Sequence, residues 1–350
     1  MNQEQKATDS GVAIQSGGNT NINVGISSAE IQSIIKGALE SVAPLFKEMA
    51  TSVAIERMKS LEEKLLSRFT AGNDAAPEAL KDPDFQYLLV RAHHAYARSG
   101  EPVVADTLVD LIALRSRQPQ RSRLSLSLNE AVDKTAVLTS NEFSTLSLVY
   151  YLRYTQRIGL KDFTQIVADL RLVLAPLMPQ VDTRNSALTY LVAQNCATIE
   201  ITSVSFFDML KHAYAGHFSK GFEMEELKGK IPAEHQEKIL ARLVVPCRND
   251  HTRYQFAAQS KDDFISKMKE EGFDETLSNQ LWNSFERTLW TEEEFLQKAE
   301  AIFPEIRELK KIWTDSQIKN MTLTPIGIAI GYANLKRTGN FNASLSIWIE

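Results

Sequence analysis

Histidine, cysteine and arginine are the residues through which this sequence could do chemistry, and their spacing excludes more than it assigns. His93 and His94 are adjacent in a helical stretch. Successive helical residues point about 100° apart, so the pair cannot easily share one metal ion. One is expected in the packed face and the other at the surface. Cys247 and His251 stand four apart, with Cys196, His212 and His217 upstream. Zinc asks for four ligands, usually in two close pairs, and the sequence has no C-x-x-C, so no metal site is expected. Cys196 sits in an apolar helix, where a thiolate would be costly, and reads as a core cysteine rather than a nucleophile. The signatures G-x-x-x-x-G-K-[ST], G-x-G-x-x-G, H-E-x-x-H and G-x-S-x-G are absent. Gly17-Gly18 neither follows a buried strand nor opens a helix, so it is not read as a phosphate loop. No catalytic residue, metal or cofactor is assigned from the sequence.

The one concentrated basic run is Arg115, Arg117, Arg121 and Arg123, with Pro119 inside it and no acid between. Guanidinium groups at that density suit phosphates or an acidic protein patch. No aromatic residue interleaves, so base stacking on single strands is not suggested. A solvated interhelical loop is the plainer reading. The acidic groups at Asp262, Asp263, Glu270, Glu271 and Glu292 to Glu294 are read as solvated helix faces, or as the surface that meets this run in a neighbouring subunit.

The elements that must position these residues follow from pattern. The 350 residues suffice for two or three domains, and the 43% apolar content is enough for a real core. A net charge of −5 lowers the expectation of a dedicated DNA-binding protein. Two cysteines cannot build a disulfide framework, and the polar start lacks a signal-peptide pattern. Charged residues interrupt every candidate membrane span, so a cytoplasmic protein is expected.

Residues 1–27 are rich in Ser, Gly, Asn and Gln. Val12 and Ile14 alternate with small or polar residues. After Gly17-Gly18-Asn19, so do Ile22, Val24 and Ile26. That is a hairpin signal, with a polar tail as the alternative. Residues 28–70 read as a long amphipathic helix. Ile31, Ile35, Ala38, Val42, Leu45 and Met49 are spaced four-three-four-three-four, as in a coiled-coil seam, and Gly37 and Pro44 weaken it. An intermolecular bundle and a helix packed on its own domain both fit that spacing.

Residues 71–83 form a linker, 84–220 a helical domain and 221–350 a mixed α/β domain. Thr139 and Glu142 have capping-box spacing. In 222–260 the order helix, helix, strand, turn, strand is winged-helix-like, and Leu345, Ile347 and Ile349 alternate as a final strand.

Several segments together resemble an uncharacterised bacterial family. They are Asp82-Pro83-Asp84-Phe85-Gln86-Tyr87, Ala95 to Gly100, Leu152 to Thr155 and Phe218 to Phe222. The closest likeness is Asn320 to Gly331, then Ala333 to Arg337 and Leu345 to Ile349. The resemblance covers most of the chain and implies no activity. His93-His94 departs from that family's pattern, which lowers any special role for the pair. Polar, Asn- and Gly-containing amino termini also resemble those of bacterial anti-phage proteins.

The expected fold is mainly α: a multi-helix body with an N-terminal β-hairpin, a long association helix and small C-terminal β elements. The expected function is an oligomeric sensor or scaffold in phage defence. Self-association would run through Val12, Ile14, Ile22, Val24, Ile26, Ile31, Ile35, Val42, Leu45 and Met49. Its partners would be its own copies, with a second protein or a phage component beside them. Nucleic-acid binding through 222–260 and the Arg115–Arg123 loop is the alternative, and an enzyme with an unrecognised active site the third reading.

Overall fold

The computed structural model describes residues 26–45, 48–71, 75–336 and 343–350. A first helical series comprises α1 (Ser28–Val42), α2 (Glu48–Ala71), α3 (Pro83–Ser99), α4 (Pro102–Ser116), α5 (Arg123–Thr135) and α6 (Ser140–Tyr154). Next come α7 (Phe163–Leu174), α8 (Asn185–Ala193), the strand β1 (Ala197–Ile199) and α9 (Phe206–Tyr214). A smaller unit follows, with α10 (Met224–Lys230), α11 (Ala233–Leu243), β2 (Val244–Pro246), β3 (Tyr254–Phe256), α12 (Lys261–Glu270) and α13 (Glu275–Glu286). Then α14 (Glu292–Glu300), α15 (Ile306–Thr314), β4 (Met321–Leu323) and α16 (Pro325–Lys336) return to the main body. The protein is mainly helical, and its described strands pair as two antiparallel ribbons, β1 with β4 and β2 with β3.

Local chemistry places the helix ends. Thr139 and Glu142 close the capping box expected from their spacing, and Ser27 with Glu30 does the same for α1. Pro83 and Pro102 occupy first turns, where a missing N–H costs nothing. Gly100 ends α3 in the left-handed region, at φ 67°.

Packing then sorts the helices. The middle of α6 and nearly all of α16 have no solvent face, so each carries apolar or small residues all round, with the hydroxyls of Ser144, Thr145 and Ser147 on α6 and Asn334 on α16 among the buried polar groups. α16 lies along α6 and touches α4 and α5. Two glycines permit that approach. A Cβ on Gly327 would stand 1.9 Å from the carbonyl oxygen of Cys196, and one on Gly331 would stand 2.9 Å from that of Leu146. β1 and β4 align the same region, pairing Ala197 with Leu323. Asn334 and Ser147, both buried there, are paired: Asn334 Nδ2 donates to Ser147 Oγ at 2.7 Å, and Ser147 Oγ to the carbonyl of Gly331 at 3.5 Å.

Several expectations are corrected. Val12, Ile14, Ile22 and Val24 lie outside the described residues. Ile26 is half-buried against the main core. Ile31, Ile35 and Val42 are buried within the chain, where α1 packs on α2 and α3. A partner copy therefore does not need to cover that seam. Leu45 falls in a short 3-10 turn and Met49 in α2, so the single long helix is broken in two.

The hydrophobic cores divide along other lines than the expected segments. The main core takes residues from both ends, Ile31 to Ile349, while a second forms from Phe222, Phe256, Phe264, Trp282, Phe285 and their neighbours. The order helix, helix, strand, turn, strand is present in 222–260, but it does not make a winged helix. The tip of the β2–β3 ribbon is not free, because Asn249 Nδ2 donates to the carbonyls of His217 and Ser219. α12 and α13, beyond that segment, complete its core.

The carboxyl end is also not a strand. Leu345–Ile347 is a 3-10 turn capped by Ser344. Leu345 and Ile349 are both buried and four apart, a helical rather than an alternating repeat, and Ile347 faces solvent. Trp348 is half-buried: its Nε1 donates to the carbonyl of Tyr154 at 2.7 Å and its ring meets Tyr150 edge-on.

The close contacts of α16 give a direct test. Gly327→Ala should destabilise by about 3 kcal/mol, because backbone cannot step aside, and Gly331→Ala by about 1–2 kcal/mol. Gly37, in α1, has nothing within 4 Å of its would-be Cβ, so Gly37→Ala should gain up to about 1 kcal/mol. Thermal or urea unfolding reads all three. An unchanged midpoint for Gly327→Ala would refute the packing described.

Candidate anion-binding cleft

The basic run is split by the structure. Arg115 is 4% exposed and bolts three helices together. Its guanidinium donates to Asp84 Oδ2 at 2.8 Å, to Asn129 Oδ1 at 3.0 Å and to the carbonyl of Gln118 at 2.8 Å, with Asp82 at 3.7 Å. Asn129 Nδ2 donates to the same Asp84 oxygen. The Asn129 amide, with the Arg115 guanidinium behind it, holds the Asp84 carboxyl below its ordinary range. Arg115 is therefore a joint and not a ligand-facing group. Arg117, Arg121 and Arg123 are exposed on the same turn.

The acidic helices do not wait for this run. Glu292 meets Lys310, Glu293 meets Arg307, and Glu294 meets Lys220. Asp263 meets Lys267 and Glu271 meets Lys238. Lys220, with the Thr291 backbone, draws Glu294 down to about 2.

Beside Arg117 a cleft of about 390 Å³ opens between the α4–α5 turn and the carboxyl end. Leu114, Leu124, Leu128 and Leu345 make its apolar walls, and Arg117 and Lys336 supply its charges. Among the described residues, no carboxylate lines it. Tyr332 stands one helical turn before Lys336 and donates its hydroxyl to the carbonyl of Ala343 at 3.0 Å. Burial, with Asp110 adding to it, raises the Tyr332 phenol above its ordinary range, so it acts here as a neutral donor. Cations above apolar walls can hold an organic anion. The lining offers no thiol, imidazole or carboxylate to act as nucleophile or general base. Sequence reasoning singled out Arg117 and gave no role to Tyr332 or to Lys336, which lies inside the family-like segment Ala333 to Arg337 and far along the chain from Arg117.

The remaining candidates resolve without chemistry. His93 is buried, with Nδ1 2.8 Å from the carbonyl of Leu89, while His94 is exposed. Burial pushes the Cys196 thiol up to about 12. Cys247 is buried and its thiol donates to the carbonyl of Ser219, while His251 sits exposed in the following turn. Among the described residues, no three His, Cys, Asp or Glu are grouped to hold a metal.

His217 is fully buried where the smaller unit joins the body. Its Nε2 lies against the Arg248 guanidinium and 3.1 Å from the carbonyl of Leu160. Burial first, and then the Arg248 charge, push it down to about 4. In the unfolded chain it titrates near 6.5. Its contribution is therefore complete above pH about 6.5 and falls as the pH drops towards 4, by about 3 kcal/mol in all. A His217→Gln protein should lack that share of the acid slope in chemical unfolding. An identical slope in the two proteins would contradict a neutral buried imidazole.

The split of the arginines can be measured too. Arg115→Ala should cost about 2 kcal/mol, less than a fully buried pair because Asp82 and Asp84 are partly exposed. The triple change of Arg117, Arg121 and Arg123 to Ala should shift stability far less. Equal melting temperatures for the two variants would overturn the distinction.

No curated protein and no solved structure matches the chain. A family model, described by a likeness ("-like") that states no activity, matches residues 25–349. The chain belongs to that family, an uncharacterised one, over nearly its whole length.

Proposed function

We propose that this protein works by binding and not by catalysis, as a sensor or scaffold that takes an anionic group of its ligand into the Arg117–Lys336 cleft. One observation carries the reading: among the described residues the lining combines two cations with apolar walls and includes no carboxylate. An acid-free hollow of this size favours an anion over a neutral or cationic guest.

Trp348 provides a probe, since its ring centroid lies 6.4 Å from that of Tyr332. Its fluorescence, referenced to a Trp348→Phe protein, should change on titration with a mononucleotide, an organic dicarboxylate or an acidic peptide. The response should weaken with salt and be lost in the Arg117→Ala, Lys336→Ala double variant. Absence of any response, or an equal response from the double variant, would remove the proposal.

Duplex DNA belongs in the same series. If it binds tightly, and the log–log salt slope falls by about 0.9 for each arginine removed from the 117–123 turn, the nucleic-acid reading replaces this one. Sedimentation of the same samples reads whether the scaffold is a homo-oligomer.

A further inference from the structure

A second basic surface lies on the outer face of α3, remote in sequence from the residues of the cleft. Tyr87, Arg91, His94 and Arg98 are spaced four-three-four, which places them in one line along that helix. Tyr87 is 62% exposed, and the Arg91 guanidinium lies over its ring at 5.6 Å. His94 and Arg98 are exposed. The line runs in a groove of about 360 Å³, with Val42 of α1 on one side and Ala136 beyond α5 on the other. Asp133 is the one carboxylate in its lining, and it is ion-paired with Arg91. At the far end, Arg57 donates to the carbonyls of Ala97 and Arg98 and brings another positive charge to the end of α3.

We infer that this groove docks an acidic helical segment of a partner protein. Asp133 offsets Arg91, and Arg98 with Arg57 leaves the groove a net positive charge towards its far end, so the complementary occupant is negative there. The stripe from Tyr87 to Arg98 extends about 16 Å at 1.5 Å per residue, the reach of about three helical turns. Its four-three-four spacing matches the repeat that a packed helix presents. Carboxylates three and four residues apart would face Arg91, His94 and Arg98. An apolar residue at the other end would meet the ring of Tyr87. Exposed tyrosine backed by arginine is the composition in which binding energy concentrates at protein interfaces. The inference does not depend on the cleft: none of the groove's side chains lines it.

The test uses the full chain and a fluorescein-labelled, alanine-rich helical peptide with glutamates at positions i, i+3 and i+7 and a leucine one turn before the first. Anisotropy should report binding that weakens with salt. A His94→Glu, Arg98→Glu protein, with an unchanged melting curve, should bind about tenfold or more weakly, and Tyr87→Ala should also bind more weakly. A peptide of the same composition with its glutamates scattered around the helix should bind less well. Arg121→Glu should change nothing. No binding at low salt, equal binding by the double variant, or equal binding of the scattered peptide would overturn the inference. So would loss of binding in Arg121→Glu, which would move the site to the other basic surface. Preferential binding of duplex RNA, lost in the same double variant, would overturn the choice of a protein partner.

Discussion

A Cβ on Gly327 would stand 1.9 Å from the carbonyl oxygen of Cys196, so α16 can begin where it does only with glycine at this position. That approach lets α16 enter the helical core, where it packs on α4, α5 and α6 from the first half of the chain. The hydrogen bonds from Thr324 to the carbonyls of Asn195 and Cys196 hold the start of α16 at that point. From there the helix runs past Leu146 and Tyr150, where Gly331 again leaves no room for a side chain. Such long-range closure costs loop entropy, and apolar burial along the whole of α16 offsets it. The cleft is a consequence of the same path. Tyr332 and Lys336 are one turn apart at the end where α16 emerges, so the packing that buries Gly327 also sets the cationic wall beside Arg117.

The smaller unit is joined by different means. The chain crosses into it near residues 216–222 and out of it near 288–290. These crossings pair with each other, through the Ser219–Leu289 bridge and the bond from the amide of Trp290 to the carbonyl of Phe218. Around them, Gln255 donates to Gly216, Gln259 to Arg157 and Asn249 to two carbonyls. A joint made of buried backbone turns must satisfy carbonyls that have left water, and amide side chains do that without adding charge. His217 and Arg248 sit within this joint, where the Arg248 guanidinium and the carbonyl of Leu160 meet the buried imidazole.

Much of this was legible where local rules decide. The capping box at Thr139, the parting of His93 from His94 and the secondary-structure order in 222–260 all follow from residues a few positions apart. What local rules left open was each choice between equivalent partners. A four-three-four seam at Ile31, Ile35 and Val42 is satisfied equally by a second copy or by α2 and α3, and only the tertiary structure decides. Leu345, Ile347 and Ile349 suit alternation, yet Leu345 and Ile349 also suit a turn. Among four arginines of one type, Arg115 is the buried one because Asp84 and Asn129 meet it from other helices. Lys336 joins Arg117 across more than half of the sequence, and no spacing rule reaches that far.

Net charge is a weak guide to what the surface attracts, because many of the negative groups are matched within the chain. Glu292, Glu293 and Glu294 each have a cation within the chain, and exposed pairs of that kind cancel one another's field beyond a few ångströms. At physiological ionic strength the Debye length is about 8 Å, so a small anion in the cleft responds to Arg117 and Lys336 and hardly to the total of −5. A long polyanion is in a different position. It spans several Debye lengths and so responds to the charges around the cleft as well as to those inside it. Local geometry therefore weighs as much as overall charge in what a surface of this kind attracts.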